Sequence, residues 1–170
     1  RFSFGSGRSV ARWDGTAWTP MGQGLGTGTV LAFTTWDPDG PGDQPPRLIA
    51  GGTFWSADST PIRGVAQWDG AQWRPIGPGL TGTTRALCSW DPDGSGPESS
   101  LLIAAGTMAE TVGGEVALAG LAVWNGAVWQ PLGGALSSTA WNVNALTTWD
   151  PDGNGPQSSQ LVLAGSRFSV

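Results

Sequence analysis

The chain has 170 residues, enough for a hydrophobic core, with 28 Gly, 13 Pro and 11 Trp but no His or Tyr, and its eight cations are all Arg. Charged residues are 12% and the net charge is −5, without the clustered basic footprint of a nucleic-acid binder. No apolar run of about 18 residues offers a membrane span, and the single Cys88 excludes an intrachain disulfide.

In chain order, the first element is a hairpin. Val10–Trp13 and Thr16–Pro20 flank Asp14-Gly15, a dipeptide that suits a tight two-residue turn with positive φ. Such a turn sets Trp13 opposite Thr16 and Ala11 opposite Trp18, so the two indoles lie diagonally on one face. A second hairpin pairs Thr29–Trp36 with Arg47–Phe54 across Asp37-Pro38-Asp39-Gly40, a run of turn formers. Its first strand alternates Val30, Ala32, Thr34 and Trp36 against Leu31 and Phe33. Apolar residues on both faces are expected of a strand sandwiched between neighbouring sheets.

The same elements then recur. Val10-Ala11-Arg12-Trp13-Asp14-Gly15 returns as Val65-Ala66-Gln67-Trp68-Asp69-Gly70 and as Leu121-Ala122-Val123-Trp124-Asn125-Gly126, at spacings of 55 and 56 residues. Each copy continues to a second Trp (18, 73, 129) and to a Pro-hydrophobic-Gly triplet at 20–22, 75–77 and 131–133. A second marker runs from Trp36 to Gly40, Trp90 to Gly94 and Trp149 to Gly153. The third is Leu48-Ile49-Ala50-Gly51, Leu102-Ile103-Ala104-Ala105 and Val162-Leu163-Ala164-Gly165. Pro20, Pro75 and Pro131 cannot donate to a ladder and mark the outermost strand. No segment carries a helical period with caps.

Four strands per unit and a period near 55 predict an all-β fold of β-propeller blades, each of four antiparallel strands, about three blades per chain. The unit Ala-x-Trp-Asp-Gly-x-x-Trp-x-Pro-hydrophobic-Gly, with the Leu48-Ile49-Ala50-Gly51-Gly52 strand, resembles the kelch-like, galactose-oxidase-like propeller repeats of secreted bacterial proteins. The resemblance covers essentially the whole chain and implies an extracellular or cell-surface, bacterial location.

The repeats assign 1–28 as the second half of a split blade, 29–77 and 84–133 as whole blades, and 141–170 as the first half of the split one. Connections 55–64 and 109–120, after Phe54 and Met108, hold ten and twelve residues. Joining the two residues after Phe168 to the nine before Val10 makes eleven. A chain opening at Arg1, without Met or signal peptide, is expected to be a mature product or an excised segment. Three blades are too few for a ring. The half-blades are therefore expected to meet between chains, head to tail, as a six-bladed ring of two copies or a filament. A fragment of a longer propeller is the other expectation.

Candidate binding residues are few. Asp37, Asp39, Asp91, Asp93, Asp150 and Asp152 are weak calcium candidates, because calcium wants six to eight oxygens. The third carboxylate position of such a loop is Pro41, Ser95 or Asn154, and only Asp43 adds an acid. The competing role for these acids is shaping a turn. The periodic Trp residues suit blade packing. Trp55 and Trp141 break the period, with Ala109 and Ser169, and Gly28 and Gly82, as their equivalents, so they are ligand or interface candidates. Arg85 also departs, where Leu31 and Asn144 stand; it would line an axial channel or form a surface ion pair.

Catalysis finds little to use. Absence of His removes the usual base of Ser and Cys nucleophiles. Absence of Tyr removes the phenol that sialidase and galactose oxidase chemistry requires. Glu98, Glu110 and Glu115 sit in variable loops rather than as an opposed pair. The expectation is a non-enzymatic structural or binding propeller without a cofactor whose partner is itself, with no nucleic acid and no membrane insertion. The alternatives are a carbohydrate- or protein-binding module of a larger secreted protein, meeting a glycan or surface protein, and a calcium-dependent adhesion module.

Overall fold

A computed structural model describes residues 10–40, 42–57, 60–94, 98–108, 110–114, 117–132, 142–153 and 157–166. Among them the chain is all β, with antiparallel sheets of two to four strands. The N-terminal hairpin joins β1 (Ala11–Trp13) to β2 (Trp18–Pro20). The first four-stranded sheet runs in the order β3 (Val30–Trp36), β4 (Arg47–Gly52), β7 (Val65–Trp68), β8 (Trp73–Pro75). The second repeats that order with β9 (Thr84–Trp90), β10 (Leu101–Gly106), β11 (Leu121–Trp124) and β12 (Trp129–Pro131). A C-terminal ribbon pairs β13 (Asn142–Trp149) with β14 (Gln160–Ser166). The proline-bearing strands β8 and β12 lie at sheet edges, where a missing N–H breaks no ladder.

The sheets stack in chain order. Strand β9 packs against β3 and β4 on one side and against β13 on the other. Between the four-stranded sheets lies a cluster that includes Ile49, Leu87, Leu102 and Trp129. Cys88, Ile103, Leu121 and Val143 form the next one towards the ribbon. On the opposite side of the first sheet, Val10 and Met21 of the N-terminal hairpin bury themselves with Ala50, Ala66 and Trp73. Three interfaces thus repeat one packing scheme.

Register exposes four differences from the sequence reading. Trp13, Trp68 and Trp124 stand directly opposite Trp18, Trp73 and Trp129, not diagonally. The connection is a four-residue loop closed from the Asp14 N–H to the Ala17 carbonyl, and only its glycine takes positive φ, 101° at Gly15. The second strand consequently begins at Trp18 rather than Thr16. In the third repeat, Trp149 pairs with Gln160 as Trp36 pairs with Arg47 and Trp90 with Leu101. The counterpart of Leu48–Gly51 is therefore Leu161–Ala164, one residue earlier than the sequence alignment placed it. The β4 strand ends at Gly52, not Phe54, and the connection after it contains a small ribbon of β5 (Ser56–Ala57) and β6 (Thr60–Pro61).

Strand β3 is covered along its length on one face only; on the other, Val30 packs against the N-terminal cluster but the rest stays open. Phe33 is 49% exposed, whereas Leu87, its equivalent in β9, is 8% exposed under the preceding sheet. A bulge recurs in all three inner strands, leaving Leu31, Arg85 and Asn144 without ladder partners. Opposite it, Gly52, Gly106 and Gly165 pass so close to the carbonyls of Thr29, Thr83 and Asn142 that any Cβ would collide.

Candidate functional site

Tryptophans mark the surfaces with the most chemistry. In the three Trp hairpins the paired rings lie 5.6, 5.4 and 5.4 Å apart at tilted or edge-on angles, the arrangement that ring quadrupoles favour. Trp129 is 1% exposed and its indole N–H donates to the Ile76 carbonyl at 3.0 Å. Trp73 is equally buried beside Met21. Trp13 and Trp18, the same pair on the N-terminal hairpin, are 51% and 48% exposed.

A second set closes the inner hairpins. Trp36 crosses to the following sheet, where its N–H donates to the Ser100 carbonyl at 2.8 Å; it is 4% exposed. Trp90 repeats the bond to the Ser159 carbonyl at 3.0 Å. Each serine answers with its hydroxyl, Ser100 to the Asp37 carbonyl and Ser159 to the Asp91 carbonyl, both at 2.7 Å. Trp149 ends β13 in the same way and is 56% exposed. Six of the eight large exposed apolar side chains among the described residues lie on two ends of the stack, Trp13, Trp18, Leu31 and Phe33 at one and Trp149 and Val162 at the other; Trp55 and Val128 sit in loops elsewhere. Sequence reasoning noted Trp36, Trp90 and Trp149 as markers and missed their role. The signal was an invariant indole at the end of a strand, which needs an acceptor.

The aspartates of the inner loops bind their own backbone. Asp37, Asp91 and Asp150 each accept an N–H from the aspartate two residues on, at 3.2–3.3 Å. Asp39, Asp93 and Asp152 each accept the N–H five residues on, that of Gln44, Glu98 and Gln157, at 3.1 Å. Among the described residues no three acidic, His or Cys side chains converge on a point where a metal could sit. The loop geometry is that of a turn holding itself.

The off-pattern residues part company. Trp55 is exposed, and the Arg63 guanidinium carbon sits 4.4 Å from its ring centroid, a cation–π contact. A shallow recess of about 20 Å³ lies beside them, walled by Phe54, Leu80 and Thr81. Arg85 is the bulge residue of β9 and points to solvent; the ion pair among the described residues joins Arg74 to Asp69 at 2.8 Å instead. Trp141, Phe168, Ser169 and Glu115 lie outside the described residues. Cys88 is buried, its thiol donates to the Ser89 carbonyl at 3.2 Å, and burial raises its pKa, which suits a packing role over a reactive one.

No family model matches the sequence, and comparison with curated proteins and with solved structures found no match either.

Proposed function

We propose that the chain is a non-catalytic β-propeller scaffold that associates with itself head to tail. In this reading each four-stranded sheet is a blade. The N-terminal hairpin and the C-terminal ribbon are complementary halves of another, and two copies form a six-bladed ring or successive copies a filament. The observation that carries it is the placement of exposed Trp13, Trp18, Phe33 and Trp149 at positions whose equivalents, Trp124, Trp129, Leu87 and Trp36, are buried. Contiguous apolar patches of this kind mark association surfaces. The missing His and Tyr and the self-bonded aspartates support a role without chemistry. An extracellular or cell-surface bacterial setting rests on the kelch-like repeat unit. Light scattering tests the proposal: the mass should exceed 17.5 kDa and rise with concentration. A constant 17.5 kDa across the micromolar range refutes it.

A second reading, a carbohydrate- or protein-binding module, is favoured by the exposed Trp55 with its Arg63 neighbour, an aromatic platform outside the repeat pattern.

A further inference from the structure

Resting on that self-association, we infer that the junction between copies has one register, set by Trp149 of one copy entering a recess beside Pro46 of the next. The receiving site is defined inside the chain. Trp36 meets the Ser100 carbonyl and shares a buried cluster with Leu102 and Trp124. Trp90 meets the Ser159 carbonyl and packs with Leu161. Ladder pairing makes Pro46 the counterpart of Ser100 and Ser159, and Leu48 the counterpart of Leu102 and Leu161. Trp68, which faces Leu48 across the ladder, stands where Trp124 faces Leu102. Pro46, Leu48 and Trp68 line a recess of about 560 Å³ on the side of the first sheet that faces the N-terminal hairpin.

Knob and recess therefore belong to opposite ends of the same stack, and each is the unburied copy of a contact made twice internally. That repetition selects a second copy of this chain as the occupant. Shape and polarity agree: the Pro46 carbonyl supplies the acceptor that an indole N–H needs. Proline cannot supply the hydroxyl by which Ser100 and Ser159 bond back to the preceding loop. The intermolecular junction thus has one hydrogen bond fewer than the internal ones. The contact extends along the outer edge, because Leu132 occupies the position from which Ile76 covers Trp129, opposite the exposed Trp18.

The test uses three variants of the 170-residue chain at exposed or edge positions, with thermal melting to confirm the fold. Trp149→Ala and Pro46→Arg should each weaken association about thirtyfold, the loss of an interface anchor. Their equimolar mixture should pair more tightly than either variant alone, because one intact knob then meets one intact recess. Pro46→Ser should tighten association about fivefold by restoring the hydroxyl bond. Wild-type chain that never associates overturns the inference together with the self-association reading. Wild-type association that all three substitutions leave unchanged, or variants that a mixture does not rescue, overturns the register alone.

Discussion

Asp14, Asp69 and Asn125 perform one task with two chemistries. Each side-chain oxygen accepts the backbone N–H groups two and three residues on, at 2.8–3.0 Å, and so shapes the Trp hairpin loop. The Ala17 N–H, followed by the Thr16 hydroxyl and N–H, pulls the Asp14 pKa down to about 2. Arg74, and after it the Gln72 and Ala71 N–H groups, does the same for Asp69. A depressed folded-state pKa gives stability that is complete above the unfolded value, near 3.9, and lost as pH falls towards 2. Amide resonances of Thr16, Ala17, Ala71 and Gln72 should therefore shift with a midpoint near pH 2, while those of Ala127 and Val128, bonded to uncharged Asn125, stay still. Arg74→Ala should raise the Asp69 midpoint and leave that of Asp14 unmoved. Midpoints near 4 for both aspartates in the wild type would refute the hydrogen-bonded loop.

The Trp hairpin is one element in different surroundings, and its energetics follow the surroundings rather than the motif. In β12 the second indole is sealed under Ile76; in β2 it faces water. Trp129→Ala should cost about 3–5 kcal/mol, the transfer and cavity loss of a buried aromatic. Trp18→Ala in the dilute chain should cost about 1 kcal/mol or less, as for other exposed sites. Chemical denaturation of both variants decides it, and equal losses would refute the burial difference. The bulge shows how an element re-aims a side chain: Leu31, Arg85 and Asn144 share one backbone position with three different chemistries. Arg85 looked exceptional from its residue type, yet its geometry belongs to the repeat.

At the scale of the molecule, the three inner loops repeat one local pattern of aspartate hydrogen bonds. Each of the six inner-loop aspartates turns one oxygen onto a backbone N–H, and although Asp39 Oδ1 and Asp93 Oδ1 are buried without a partner, a calcium ion drawing on both oxygens would have to displace those bonds. Millimolar calcium should leave the melting temperature unchanged; a rise of several degrees would reassign the loops to metal binding. The three-unit organisation and the edge position of the proline strands were legible, because turn formers, indoles and prolines act locally at a constant spacing. The hairpin register was not. Asp-Gly suggests a two-residue turn, but an aspartate that bonds forward to two N–H groups prefers a wider loop, which sets the two Trp residues directly opposite each other. The slip in the third repeat has a similar cause, since short apolar strands match almost as well one residue out of step.

By itself the sequence determined the class of fold and the repeating unit, because alternation, turn chemistry and proline placement are written residue by residue. It also excluded the chemistries that need His or Tyr, because composition alone decides those. Only the tertiary structure decided which copies of each Trp are sealed and which face solvent. Identical motifs gain different environments from neighbours distant in the chain, and burial is a property of that neighbourhood. Trp36 and Trp149 cannot be told apart as residues; one has a sheet above it with a carbonyl to meet, and the other presents the same indole to water.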